Sequence, residues 1–179
     1  MIKRRLTLAF VLAASIFTSL DATTHNLSAD DDLISVQIEA LMMNEEKRNI
    51  LLVLKPQGQT EPKQVLPLVI GIEEGRSIYI AFHKLEPPRP MSHDLMKQII
   101  REYGGAIAGC VITRMERETF FAELRLKKAG RDLIMDSRPS DAIALALRSG
   151  TPILVRRDVL DRHGVDPTKP IKEERTLKT

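Results

Sequence analysis

The segment Pro139 to Gly150, P-S-D-A-I-A-L-A-L-R-S-G, constrains the fold more than any other part of the 179-residue chain. Pro139 or Ser140 can open a helix there, and Gly150 can close it. Between them, Ala142 to Leu147 is apolar at every position. A helix that is apolar on all sides has no face to turn to water and must be buried. The length of the chain is that of one domain with short additions, so this helix belongs at the centre of a single core.

The rest of the chain reads mostly as strands. Ile34, Val36 and Ile38 alternate with Ser35, Gln37 and Glu39, which marks a half-buried strand. After a turn at 44–47, residues 49–55 form a second strand and 65–71 a third. Pro67 places the third near an edge or an irregularity. The run Glu86-Pro87-Pro88-Arg89-Pro90 is incompatible with a helix interior or a central strand. Ser92 is expected to cap a helix over 93–103, closed by Gly104 and Gly105. Strands follow at about 107–114 and 118–127, with a hairpin turn at 128–130 and a return strand at 131–136. After the buried helix, 152–155 is a short strand and 158–163 one or two helical turns.

Residues 72–84 are ambiguous, because I-Y-I-A-F at 78–82 favours a strand by residue preference alone. A comparison within the chain resolves them. Leu68-Val69-Ile70 matches Leu133-Ile134-Met135 at an offset of 65 residues, and at that offset Ile78 falls on Ile143, Ala81 on Ala146 and Phe82 on Leu147. Residues 73–84 are therefore expected to be helical. The fold class this predicts is α+β: two β-β-β-α repeats around a mixed sheet core, joined by the helix at 93–103, in a single compact domain over 33–165. Gly75 would weaken the first repeat's helix by roughly 1 kcal/mol relative to Ala.

The two ends differ from this domain. Residues 1–22 have a basic start (Lys3, Arg4, Arg5), an apolar run from Leu6 to Phe17, and then small and polar residues. This is the pattern of an export signal, with cleavage expected after Ala22 or as late as Ala29. The apolar run is about 12 residues, short for a bilayer span. The mature chain is thus expected to be periplasmic or secreted without a membrane span; an uncleaved N-terminal anchor is the alternative. Residues 23–32 read as a flexible leader and 166–179 as a disordered tail.

Composition narrows the function classes. Aromatic residues are 4% of the chain and Trp is absent, which argues against an RNA-binding sheet that stacks bases on aromatic rings. Cys110 is the only cysteine, so neither an intramolecular disulfide nor a zinc site with paired thiolates can form. Its setting, A-I-A-G-C-V-I, is that of a buried structural thiol. The formal charge of +3 belongs to the precursor. Cleavage after Ala22 takes Lys3, Arg4, Arg5 and Asp21 from the 27 basic and 24 acidic residues, leaving 24 and 23. Net charge is therefore poor evidence for a nucleic-acid partner.

The residue types suited to chemistry fall in two clusters: Arg89-Pro90-Met91-Ser92-His93-Asp94 and Asp136-Ser137-Arg138-Pro139-Ser140-Asp141. Each sets an Arg-Pro just before a helix and an Asp in its first turn. Helix N-termini present unpaired N–H groups and a positive dipole end to a phosphate, and Arg adds a planar fork that matches it. Arg89, Arg138 and Ser140 are candidates for binding phosphate. Asp136, Asp141, His93 and Asp94 are candidates for catalysis. Asp136, Asp141 and Glu123 could hold a hard divalent cation such as Mg²⁺ or Mn²⁺. The same residues also suit plain structural work, as caps, dipole partners and internal ion pairs. No H-E-x-x-H, Walker loop, G-x-S-x-G or dinucleotide fingerprint is present.

The stretches L-P-L-V-I-G (66–71), E-P-P-R-P-M-S-H-D-L (86–95) and D-S-R-P-S-D-A-I-A-L-A-L-R (136–148) resemble the signature of the bifunctional nuclease domain family. The resemblance implies a compact α+β domain, often oligomeric, with a nuclease's activity on both DNA and RNA. By motif match it points to Arg89, His93, Asp94, Asp136, Arg138, Ser140 and Asp141 as the functional surface. It implies no particular mechanism. Gly75 stands where the family usually has Ala, and an export signal is unusual in the family. The expected function is a broad-specificity, metal-assisted phosphodiesterase acting on DNA and RNA as a monomer or homo-oligomer. The alternatives are a non-catalytic interaction domain or a domain that senses a small anion.

Overall fold

The computed structural model describes residues 32–171. The expected signal segment, the expected leader except Asp32, and residues 172–179 of the expected tail lie outside the described residues. Three strands come first: β1 (Leu33–Asn44), β2 (Asn49–Pro56) and β3 (Leu66–Gly71). Helices α1 (Ile72–Phe82) and α2 (Ser92–Glu102) follow. Three more strands, β4 (Gly105–Glu116), β5 (Thr119–Lys128) and β6 (Arg131–Ser137), lead to helix α3 (Pro139–Ser149). Strand β7 (Ile153–Arg156) and helix α4 (Arg157–His163) complete the order. The order β-β-β-α thus occurs twice, with α2 between.

All seven strands form one sheet, in the order β3-β2-β1-β7-β4-β5-β6. Each three-strand group is an antiparallel meander, and β7 enters between them, antiparallel to β1 and parallel to β4. The last strand laid down in sequence therefore joins the two halves into one mixed sheet. Pro67 lies in β3, an edge strand, where its missing N–H disrupts the ladder least.

Helix α3 is central. Ala142, Ile143, Ala144 and Ala146 have no exposed surface and Leu145 almost none. The helix packs on α1, α2, β4 and β5, which cover all of its sides. The small residues let its neighbours approach closely, and Ile143 and Leu145 fill the space between them. Gly150 closes the helix in the left-handed conformation expected of it (φ 65°). Cys110 is fully buried in β4, and burial pushes its thiol up to about 12, so it stays a neutral packing group.

Helix α1 forms against the local preference of its residues. Gly75, Ser77 and Ile78 are its buried positions, and Ile78 is fully enclosed. Gly75 serves differently from the sequence expectation. A Cβ at that position would stand 2.2 Å from Ile50 Cδ1 and 3.0 Å from Ile50 Cβ. The missing side chain lets α1 lie close on β2. Gly75→Ala would gain about 1 kcal/mol in helix propensity but crowd the core by about 1–3 kcal/mol. A lower melting temperature is expected, measured by circular dichroism; a higher one would mean that Ile50 moves aside freely.

Smaller corrections concern the ends of elements. β1 runs to Asn44, through an irregularity between Ile38 and Ala40 that the simple alternation did not show. Ser92 is the first residue of α2, and the cap position belongs to Met91. Beyond α4, Val65 and Val165 pair their backbones, and Ile171 packs against the cluster of Leu51, Val53 and Val65. Among the described residues no helix is long and apolar enough to cross a membrane.

Candidate functional site

The three long helices begin in the same way. Each carries an acid at the third position of its first turn: Glu74 in α1, Asp94 in α2 and Asp141 in α3. An acid there favours the positive end of the helix dipole. In this fold each one also meets an arginine, and the two arginines divide the candidate residues into two groups.

The first group is built around Arg138, the residue before α3. Its Nε donates to Asp141 Oδ2 at 2.7 Å, Nη2 donates to Asp141 Oδ1 at 3.0 Å, and Nη1 donates to Glu74 Oε1 at 2.8 Å. Behind Asp141 lies His93, whose Nε2 is 3.2 Å from Asp141 Oδ1. Behind His93 lies Ser77, whose Oγ is 2.8 Å from Nδ1. An ionised Asp141 can only accept, so Nε2 carries a proton; in the neutral ring Nδ1 then accepts from the Ser77 hydroxyl. The chain Ser77–His93–Asp141–Arg138–Glu74 thereby links α1, α2 and α3 and runs from the core to the surface. Ser77 and His93 are 2% and 8% exposed, whereas the Arg138 side chain is 65% exposed. The hydrogen bond from His93 outweighs burial and, together with Arg138, holds the Asp141 carboxyl down to about 2.

That depression fixes a pH dependence. The folded carboxyl titrates near 2 and the free one near 3.8. The stability it contributes is complete above 3.8 and is lost as pH falls through 2. The amount is about 2 kcal/mol. Acid unfolding followed by circular dichroism should show this fall in the wild type, and Asp141→Asn should flatten it. An unchanged acid profile in the variant would remove Asp141 from the account.

The second group is built around Arg148, at the end of α3. Its Nε donates to Asp94 Oδ1 at 2.7 Å, and Nη1 donates to the carbonyls of Ser77 and Ala144 at 3.2 and 3.1 Å. Asp94 Oδ2 accepts the Met91 N–H at 2.8 Å. Burial works to raise the Asp94 carboxyl, but the Met91 N–H and Arg148 outweigh it and hold it below its ordinary value. Both Asp94 oxygens are therefore engaged, and the N-terminus of α2 is closed by its own acid rather than open to an anion. The Arg148 side chain is only 6% exposed. This group ties α2 to α3.

A cleft of about 340 Å³ opens beside the first group. Arg138, Pro139 and Ser140 form one wall, with Glu74 and Gly71 from the start of α1. The turn between β1 and β2 contributes Lys47 and Arg48, the start of β2 contributes Asn49, and the start of β5 contributes Phe120. Neither α1 nor α3 has a side-chain cap at its N-cap residue. Asp94 and Arg148 line a different depression, with Lys84 and Leu85.

The structure thus brings together His93, Asp141, Arg138 and Ser140 of the residues expected from sequence. It sets Asp94 apart, against Arg148. Arg89 is exposed in the loop before α2 and lines neither depression. Asp136 is exposed on β6, directly across from Glu123 on β5. Asp136, Glu123 and Asp141 do not form a ligand set, and among the described residues no three His, Cys, Asp or Glu side chains are grouped to hold a metal ion. Both Asp141 oxygens face Arg138, a fixed cation that would repel a second one. The expected divalent cation therefore does not fit these residues, and no step is derived through it.

Three participants escaped the sequence reading: Glu74, Ser77 and Arg148. In the internal match Glu74 falls on Pro139 and Ser77 on Ala142, so the comparison that revealed the helix also made these positions look like plain helix residues. A polar Ser77 opposite an apolar Ala142 was the available signal.

Comparisons with known proteins place the chain in a family. A family model described as the bifunctional nuclease domain matches residues 52–168. An uncharacterized protein of Mycobacterium tuberculosis is 31% identical over 130 residues, covering 73% of this chain and 76% of that protein. Bifunctional nuclease 1 of Oryza sativa is 27% identical over 113 residues, covering 62% of this chain and 34% of the plant protein. Bifunctional nuclease 2 of Arabidopsis thaliana is 30% identical over 121 residues, covering 57% and 37%. This chain therefore spans little more than a third of the plant proteins it matches.

Proposed function

The chain belongs to the bifunctional nuclease domain family, and from that premise we propose that it hydrolyses phosphodiester bonds in DNA and RNA at the cleft beside Arg138. The observation that supports this most is the state of the Arg138 guanidinium. Two carboxylates fix its plane through three of its five N–H groups. The other two have no protein partner among the described residues, and the largely exposed Arg138 side chain lines the cleft. A phosphate oxygen is the natural acceptor for such a fork. Lys47 and Arg48 add positive charge on the opposite rim.

In this reading Arg138 binds the phosphate and stabilises the charge that grows on its oxygens as water attacks. Asp141, held in turn by His93 and Ser77, positions Arg138. Glu74 lines the cleft with a carboxylate fixed by Arg138. It takes the proton of the attacking water as the new phosphate–oxygen bond forms, and the ester oxygen leaves with the electrons of the broken bond and takes a proton from solvent. His93 is a positioning residue here, because its ring is buried and both nitrogens are occupied within the protein.

The test is incubation of the purified protein with single- and double-stranded DNA and RNA, in EDTA and in Mg²⁺ or Mn²⁺. Cleavage is expected, and Glu74→Gln should abolish most of it. Intact substrates under every condition would overturn the reading. If phosphate nonetheless raises the melting temperature, the cleft is a small-anion site.

An open edge of the sheet supports the expected homo-oligomer. β6 is an edge strand, and Leu133, Ile134 and Met135 on it are 45%, 63% and 53% exposed. An apolar open edge is suited to pairing with another chain. Light scattering should show a dimer or larger assembly that Ile134→Lys reduces.

A further inference from the structure

We propose that the cleft receives one unstacked nucleotide, whose base is read by Asn49 and packed on Phe120 while its phosphate lies at Arg138. This deepens the nuclease reading and rests on it for the class of ligand.

Asn49 is the first residue of β2, paired across the sheet with Gly71, the residue that opens α1. It is 7% exposed and lines the cleft. Its Oδ1 is buried and has no hydrogen-bond partner among the described residues. A buried acceptor without a donor is costly and uncommon in a folded protein, and a ligand that supplies the donor accounts for it. The amide also carries two N–H donors beside that oxygen. This pairing of acceptor and donor complements the N6–H and N7 edge of adenine.

The surroundings suit a base. Leu68 and Ile70 form an apolar wall, and Phe120 adds an aromatic ring to the cleft. The Phe120 ring is braced edge-on by His163, with centroids 5.7 Å apart, so its position is set before a ligand arrives. Bases stack readily on such rings. Arg138, Lys47 and Arg48 line the same cleft, and their positive charge suits the phosphate of the same nucleotide. The volume of about 340 Å³ is that of a small-ligand site and far too small for a duplex. A base must therefore leave the stack, or come from a single strand, to enter.

The experiment is calorimetric titration of the full-length protein with adenosine 5′-monophosphate, uridine 5′-monophosphate and inorganic phosphate, with thermal unfolding of every variant measured alongside. Adenosine monophosphate is expected to bind at least 10-fold more tightly than either of the others. Asn49→Leu should erase its advantage over uridine monophosphate and leave phosphate binding within 2-fold. Asn49→Ser supplies the same comparison if the Leu variant fails to fold. Equal affinity for the three ligands, or an adenine preference that survives both variants, overturns the proposal. The nuclease reading fails separately: an adenine preference shown by the wild type and lost in the Asn49 variants, with no cleavage by the wild type, leaves this site standing. Cleavage by the wild type with no adenine preference removes this site and leaves the nuclease.

Discussion

Arg148→Met is expected to cost the domain about 3 kcal/mol and to lower its melting temperature by roughly 10 °C. The guanidinium is almost fully enclosed, and four groups depend on it or lie against it: Asp94, two backbone carbonyls and the Met91 sulfur. Removing it leaves the Asp94 carboxylate without its cation at the junction of α2 and α3. Asp94 keeps some access to water, which places the cost at the lower end for a broken buried pair. The backbone of Arg148 is held too, since Lys97 Nζ donates to its carbonyl. Adding Asp94→Asn to Arg148→Met should recover part of the loss. The amide oxygen can still accept the Met91 N–H, and the orphaned charge is gone. Differential scanning calorimetry of the two single variants and the double variant decides it. A loss below about 1 kcal/mol for Arg148→Met would show that α2 and α3 are held by apolar packing alone.

Arg138→Gln is expected to do the reverse, with a large effect on activity and a small one on stability. Its ion pairs are near the surface, where such pairs contribute about 1 kcal/mol or less. Loss of a charged donor to a transition state costs about 100-fold or more in kcat/KM. Arg138→Lys keeps the charge but not the planar fork, and should recover only a small part. Steady-state kinetics on a short oligonucleotide, beside melting curves, provide the check. A proportionate fall in activity and melting temperature would make the chain from Ser77 to Glu74 a packing device and not a site.

The two arginines look alike in the sequence. Both flank the same apolar helix, and both meet an aspartate in a first turn. Only Arg138 was picked out, because an Arg-Pro before a helix is a local pattern. The partner of Arg148 lies 54 residues away, and no local pattern points to it. The partner of Asp94 was hidden for the same reason. The position of Asp94 in the first turn was legible, but its orientation toward Arg148 depends on how α2 crosses α3. The proposed metal trio shows the same limit. Asp136 and Glu123 face each other across two neighbouring strands, as a hairpin would arrange them. Asp141 lies past the start of α3, and there its side chain turns to His93 and Arg138 instead.

The enclosed helix that made the sequence distinctive is where local and tertiary information part. The residues themselves determined that α3 would be helical and buried, because six apolar positions in a row leave no polar face. They determined most of the strands, by alternation and turn residues. These are properties of neighbours in sequence, set by backbone geometry and by the period of the apolar pattern. The tertiary structure decided which ends of the helices meet. It placed Ser77, His93 and Asp141 in line behind Arg138, closed Arg148 over Asp94, and left the oxygen of Asn49, a residue that lines the cleft, buried without a partner among the described residues. Hydrogen bonds and ion pairs act over about 3 Å. Positions within that reach in space can be 48 or 64 residues apart along the chain. The helix was legible because its physics is local, and the site was not because its partners meet only after the sheet has closed around that helix.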